Sequence, residues 1–100
     1  MIALIEKHRH EIESLCRKYR VKKLEIFGSA ASGEFDPATS DIDFFYEFSD
    51  TVDIANRYFR LNEELEELLR VKVDLVSSRH TKNPYFLQVA NRHRLTLYAA

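Results

Sequence analysis

Apolar and polar positions alternate along this chain in three rhythms. From Ile5 through His8, Ile12, Leu15, Cys16 and Tyr19 the less polar positions recur every three or four residues between charged ones. That spacing predicts an amphipathic helix over about 3–20. Leu24-Glu25-Ile26-Phe27 is a short β-prone run stopped by Gly28 and reads as a strand. Residues 28–40 hold both glycines and one of the two prolines, so they predict a long loop with room for one helical turn. Ile42, Phe44 and Tyr46 then alternate with Asp41, Asp43, Phe45 and Glu47, which predicts a second strand. Ile54, Tyr58, Leu61, Leu65 and Leu68 step by four, three, four and three, the signature of a helix over about 52–69. Val71–Val76 reads as a third strand. Asn83-Pro84 opens a short helix to about Arg92, and Leu95–Tyr98 an edge strand.

The order αβ(α)βαβα predicts a mixed α/β (α+β) fold, a small mixed β-sheet with helices packed on one face. A length of 100 residues predicts one domain over 1–100. Apolar residues make up 45% and charged residues 31%, a globular balance rather than a disordered one. Cys16 is the one cysteine, so no intrachain disulfide or cysteine-based zinc site exists. The apolar start at Met1–Ile5 is too short for a signal peptide or a membrane span, and the expectation is a cytoplasmic protein with no membrane association. A net charge of -1 argues against direct nucleic-acid binding. That small value hides an acidic middle between basic ends, since after Asp74 no acid follows while Arg79, Lys82, Arg92 and Arg94 do. Solvated helix faces and a cation-holding middle both fit this distribution.

Candidate chemistry gathers in three places. Asp41 and Asp43 lie two residues apart on a strand, so their side chains share a face roughly 7 Å apart. Such a pair without a cation repels and raises one pKa, whereas Mg²⁺ takes carboxylate oxygens and keeps waters for a phosphate substrate. Asp74 interrupts the apolar third strand. Beside the second strand it would complete a metal site and accept a proton as general base; on an edge strand it would be a solvated surface residue. Gly28 permits a sharp turn and Ser29 opens a helical turn whose free N–H groups suit a phosphate. His8 and His10 sit two apart on a helix, on different faces, and are expected to be partner-facing or solvated rather than metal ligands.

In combination these motifs are recognisable. Ile26-Phe27-Gly28-Ser29-Ala30-Ala31-Ser32-Gly33-Glu34-Phe35-Asp36-Pro37, then Ser40-Asp41-Ile42-Asp43-Phe44 and Lys72-Val73-Asp74-Leu75-Val76, resemble the DNA polymerase β-like nucleotidyltransferases. The resemblance is strongest to their minimal branch, the minimal nucleotidyltransferases (MNT), and covers roughly residues 20–100. It implies the nucleotidyltransferase fold and an enzyme that transfers a nucleoside monophosphate, AMP from ATP or another NTP, to a hydroxyl with release of pyrophosphate. It implies Mg²⁺, with Mn²⁺ as substitute, on Asp41, Asp43 and Asp74, and the nucleotide held by Gly28, Ser29 and Ser40. It also implies a small helical HEPN-type partner, an acceptor tyrosine on that partner and an antitoxin role in a toxin–antitoxin pair; self-association is left open. One departure stands out. Many members carry an arginine in the Gly-Ser loop, commonly at the position of Ser32 and in some at Ala30, and this chain has neither. A fold retained for binding and blocking the partner, without catalysis, is therefore the alternative. The acid-free segment with Arg79, Lys82, Arg92, Arg94, Tyr85 and Phe86 is the expected docking surface, with packing of the last helix on the sheet as the other role for Phe86.

Overall fold

One four-stranded sheet organises the chain. The computed structural model describes residues 1–100. In order the elements are α1 (Ala3–Lys7), α2 (Arg9–Lys18), β1 (Val21–Phe27), α3 (Ser29–Ser32), β2 (Ile42–Phe48), α4 (Ile54–Leu69), β3 (Val73–Ser77), α5 (Pro84–Ala90), a 3-10 turn (Asn91–His93) and β4 (Leu95–Ala99). The sheet order is β3-β2-β1-β4. β1 runs antiparallel to both β2 and β4, while β2 and β3 are parallel, so the sheet is mixed as expected. Parallel neighbours need a long crossover, and α4 supplies it. No helix is long and apolar enough to cross a membrane.

Strand alternation gives the sheet two unlike faces. On one, Leu24, Ile26, Ile42, Phe44, Val73, Leu75 and Leu97 bury against Ile5, Ile12 and Cys16 of the N-terminal helices and Leu61, Leu65 and Leu69 of α4. On the other, Phe27, Phe45 and Ala90 form a separate small cluster with Val76 and Leu87 packed against it. α5 lies on this second face, which corrects the expectation of helices on one face only. A short helix capped by Asn83, whose side chain accepts from Tyr85 and Phe86 N–H, delivers Phe86 and Ala90 onto the sheet.

Three further differences from the sequence reading have local causes. The first helix is two: the backbone leaves helical geometry at His8 (φ -104°, ψ 12°), where the imidazole Nδ1 bonds Glu11 at 2.9 Å. α1 is also tethered sideways, since Ile2 N–H donates to the Ala30 carbonyl at 3.1 Å. β1 begins at Val21 rather than Leu24, because pairing with Phe48 extends the ladder through the polar Lys22 and Lys23. In α4 the buried stripe is Arg57, Leu61, Leu65 and Leu69, whereas Ile54 is exposed. Arg57 is held by the Tyr19 carbonyl at 3.0 and 2.8 Å and by Asp50 Oδ1 and the Val52 carbonyl, each at 2.7 Å. It thereby ties the end of α2 to the start of α4. A buried guanidinium is tolerated because five N–H donors find fixed acceptors.

Candidate active site

The second face of the sheet carries the chemistry, beginning at the end of β1. Gly28 takes φ +72°, and Gly33 φ +91°, so the short α3 turn is bracketed by two left-handed glycines. Ala31 and Ser32 N–H both fold back onto the Gly28 carbonyl at 3.1 Å, and Gly33 N–H closes on Ser29 at 3.0 Å. A Cβ at Gly28 would stand 2.6 Å from Asp43 Oδ2. Gly28 is thus required twice, for its backbone angle and for the approach of the Asp43 carboxylate.

Asp43 is the centre of a row. It pairs in register with Phe27 on β1 and with Asp74 on β3. Strands β2 and β3 are neighbours, so Asp74 does stand beside the Asp41/Asp43 face, although β3 is an edge strand and Asp74 is exposed. Burial pushes the Asp43 carboxyl up from 3.8 to about 6, and the negative charges of Asp74 and then Asp41 push the same way. None of the three carboxylates enters the ion pairs of the fold, whereas Glu11, Glu25, Glu47, Asp50 and Glu64 are all paired. No three His, Cys, Asp or Glu side chains close round a single point. The acids stand instead as an open, oxygen-only, mutually repelling set. Asp41, Asp43 and Asp74 are the residues that could hold a divalent cation, and a hard ion that keeps part of its water shell is the kind this donor set fits.

Two predicted nucleotide contacts sit beside this row. Ser29 is half-buried at the head of α3. The Ser40 hydroxyl accepts from Asp36 N–H at 3.1 Å and closes the turn that leads into β2, keeping its own hydrogen to donate. Ser32 Oγ donates to the Ser29 carbonyl and accepts from Glu34 N–H, both at 3.3 Å, so it finishes the α3 turn.

Sequence reasoning missed the aromatic floor of the site. The Phe27 and Phe45 rings stack with centroids 4.2 Å apart, and Phe86 meets both edge-on at 5.8 and 6.1 Å. Phe86 therefore does pack the last helix on the sheet, and remains partly exposed, while Tyr85 is 80% exposed. The guanidinium of Arg94 lies 4.2 Å over Phe45 and grips Glu25 with two bonds, at 3.0 and 2.6 Å. Arg94 is consequently an internal clamp and not a free docking cation. The available signal was Glu25 itself, a carboxylate inside a strand with only 7% exposure.

The largest groove, 570 Å³ between α2 and α4, is lined by Glu11, Ser14, Leu15, Glu64, Glu67, Leu68 and Arg70. Two of its three acids are occupied, Glu11 by His8 and Glu64 by Lys18 and Tyr19. The mutually repelling carboxylates gathered on one face, rather than the largest groove, mark the site.

Comparison with known proteins identifies the family. The family model described as "Nucleotidyltransferase domain" matches residues 9–95. A relative named "Putative protein adenylyltransferase", from Methanocaldococcus jannaschii, is 43% identical over 82 residues, which is 82% of this chain and 79% of that one. The solved "Structure of putative minimal nucleotidyltransferase" superposes with a TM-score of 0.76 at 30% identity, covering 94% of this chain and 95% of that chain. A toxin–antitoxin crystal structure with AMP-PNP gives a TM-score of 0.72 at 26% identity, covering 92% of this chain and 73% of that chain.

Proposed function

The chain belongs to the nucleotidyltransferase domain family, and from that premise we propose that it adenylylates a tyrosine of a HEPN-type helical partner as the antitoxin of a cytoplasmic toxin–antitoxin pair. The observation that supports this reading is the unpaired row Asp43–Asp74, with Asp41 on the same face and the bare backbone of Gly28 against Asp43. Mg²⁺, or Mn²⁺, held by Asp41, Asp43 and Asp74 would neutralise charge on the triphosphate and on the departing pyrophosphate.

The chain's own groups do the rest. Gly28 lets the triphosphate approach the backbone, and the Ser29 and Ser40 hydroxyls donate to its oxygens. The acceptor oxygen attacks the α-phosphorus of ATP, the bond from that phosphorus to the bridging oxygen of the β-phosphate breaks, and pyrophosphate leaves. Asp74, exposed at the edge of the row, accepts the proton of the attacking hydroxyl. Positioning dominates this chemistry, and the partner brings the nucleophile.

The test is direct. This chain, labelled ATP, Mg²⁺ and the HEPN-type product of the adjacent gene should give AMP-labelled partner, and Asp43→Asn should give none. A second reading has its own observation: α3 carries no basic side chain. If the partner is bound and neutralised without any label, the chain is an antitoxin that acts by binding alone.

A further inference from the structure

The site asks for a positive charge that the Gly-Ser turn does not provide. A triphosphate laid against three carboxylates is an anion among anions, and α3 offers no cation. Lys22 and Lys23 of β1, and Arg94 just before β4, are already engaged by acids. Arg94 is gripped by Glu25, Lys23 lies 3.7 Å from Glu25, and Lys22 lies 3.5 Å from Glu47.

We infer that Lys72 is the phosphate-binding cation of this site, taking the place of the absent loop arginine; the inference rests on the nucleotide-binding reading above. The ladder between β2 and β3 carries it. Ile42 pairs with Val73 and Asp43 with Asp74 in parallel register, and Ile42 N–H donates to the Lys72 carbonyl at 2.9 Å. Extended one residue beyond its first pair, just outside both strands, that register sets Lys72 opposite Asp41. Exposure alternates along this stretch, with Lys72 and Asp74 out and Val73 and Leu75 buried. Lys72 and Asp74 thus share the face of the carboxylate row. Lys72 enters none of the ion pairs of the fold. Arg79, Lys82 and Arg92 are unpaired too, but no strand register sets them beside the acids. A flexible four-carbon stem ending in three donors reaches a terminal phosphate as a point charge, the way lysines serve phosphate sites elsewhere.

The experiment is calorimetric binding of AMP-PNP with Mg²⁺, and of AMP, to the full chain. Lys72→Ala should weaken AMP-PNP about tenfold, the effect of losing one charge-assisted hydrogen bond, and change AMP less than about twofold. Lys72→Arg should keep binding within about threefold of the original chain. An unchanged thermal midpoint in Lys72→Ala is expected for an exposed side chain without partners. Equal AMP-PNP affinity in Lys72→Ala and the original chain overturns the inference, and so does an equal loss for AMP and AMP-PNP. Absence of Mg²⁺-dependent AMP-PNP binding in the original chain instead overturns the nucleotide-binding reading beneath it.

Discussion

The helix-covered face of the sheet and the carboxylate face are made from alternate residues of the same strands, and they are built to different ends. Ile42 and Phe44 are fully buried, while Asp43 between them is left with unpaired oxygens and a raised pKa. Phe45, also buried, joins a three-residue cluster instead of the seventeen-residue core. The covered face holds the fold and the open face spends part of that stability on keeping like charges together. The difference teaches where a substitution should hurt folding, where it should hurt binding, and where it should help one while abolishing the other.

The largest expected effect is on the covered face. Phe44→Ala should cost about 3–5 kcal/mol in chemical denaturation, enough to leave a chain of this size largely unfolded. Phe45→Ala empties a smaller cluster beneath α5 and should cost less, about 3 kcal/mol, at the low end of that range. Equal costs for the two neighbours would break the distinction between the faces.

Arg94→Ala comes next. It leaves the nearly buried Glu25 carboxylate with only the longer Lys23 contact at 3.7 Å and removes the cation from the Phe45 ring. A loss of about 2 kcal/mol is expected, below that of a fully buried pair because the Arg94 side chain is 25% exposed. Glu25→Gln with Arg94→Met should recover part of it, since both charges then leave together. Arg92→Glu, by contrast, should leave stability unchanged and is the cleaner probe of partner docking.

Gly28→Ala should destabilise by about 1–2 kcal/mol through its positive φ and displace Asp43 through the 2.6 Å contact. The contact part of that cost should shrink when Asp43 is also shortened to Ala. A double-mutant cycle measures it, and perfect additivity would mean that the two residues do not press on one another.

These contrasts also explain what was legible in the sequence. Periodicity reports burial on one side, so Ile42, Phe44, Leu61 and Leu65 are assignable from spacing alone. The Gly28-Ser29 and Asp41-x-Asp43 motifs were legible because a tight turn and same-face carboxylates are local properties. Arg57 and Glu25 were hidden because their partners, the Tyr19 carbonyl and Arg94, lie far along the chain. The second helical layer was hidden for the same reason: nothing local in Pro84–Ala90 says that Phe86 will rest on Phe27 and Phe45. The pairing of Asp43 with Asp74 sits between these cases, since each was visible but their shared register was conditional on which strands adjoin.

The smallest expected effect has the opposite sign and separates the faces most sharply. Asp43 titrates near 6 in the fold and at 3.8 when unperturbed. Between those values the unfolded chain holds fewer protons, so the contribution of this group to stability falls as pH rises through the window. Above about pH 6 the cost is fully present; below 3.8 it is gone. Asp43→Asn should therefore stabilise the cation-free chain at pH 7 by about 1 kcal/mol, a value reduced from the full shift because the carboxylate is partly solvated. The gain should fade as pH drops toward 4, and it should fade at pH 7 when Mg²⁺ and nucleotide are added, since only the original chain gains from them. Thermal midpoints of both chains at pH 4, 5, 6 and 7, with and without Mg²⁺ and AMP-PNP, supply the comparison. A variant that is destabilised at pH 7 without cation would show that Asp43 holds the fold together like its buried neighbours, and the carboxylate row would lose its standing as a site kept charged for a ligand.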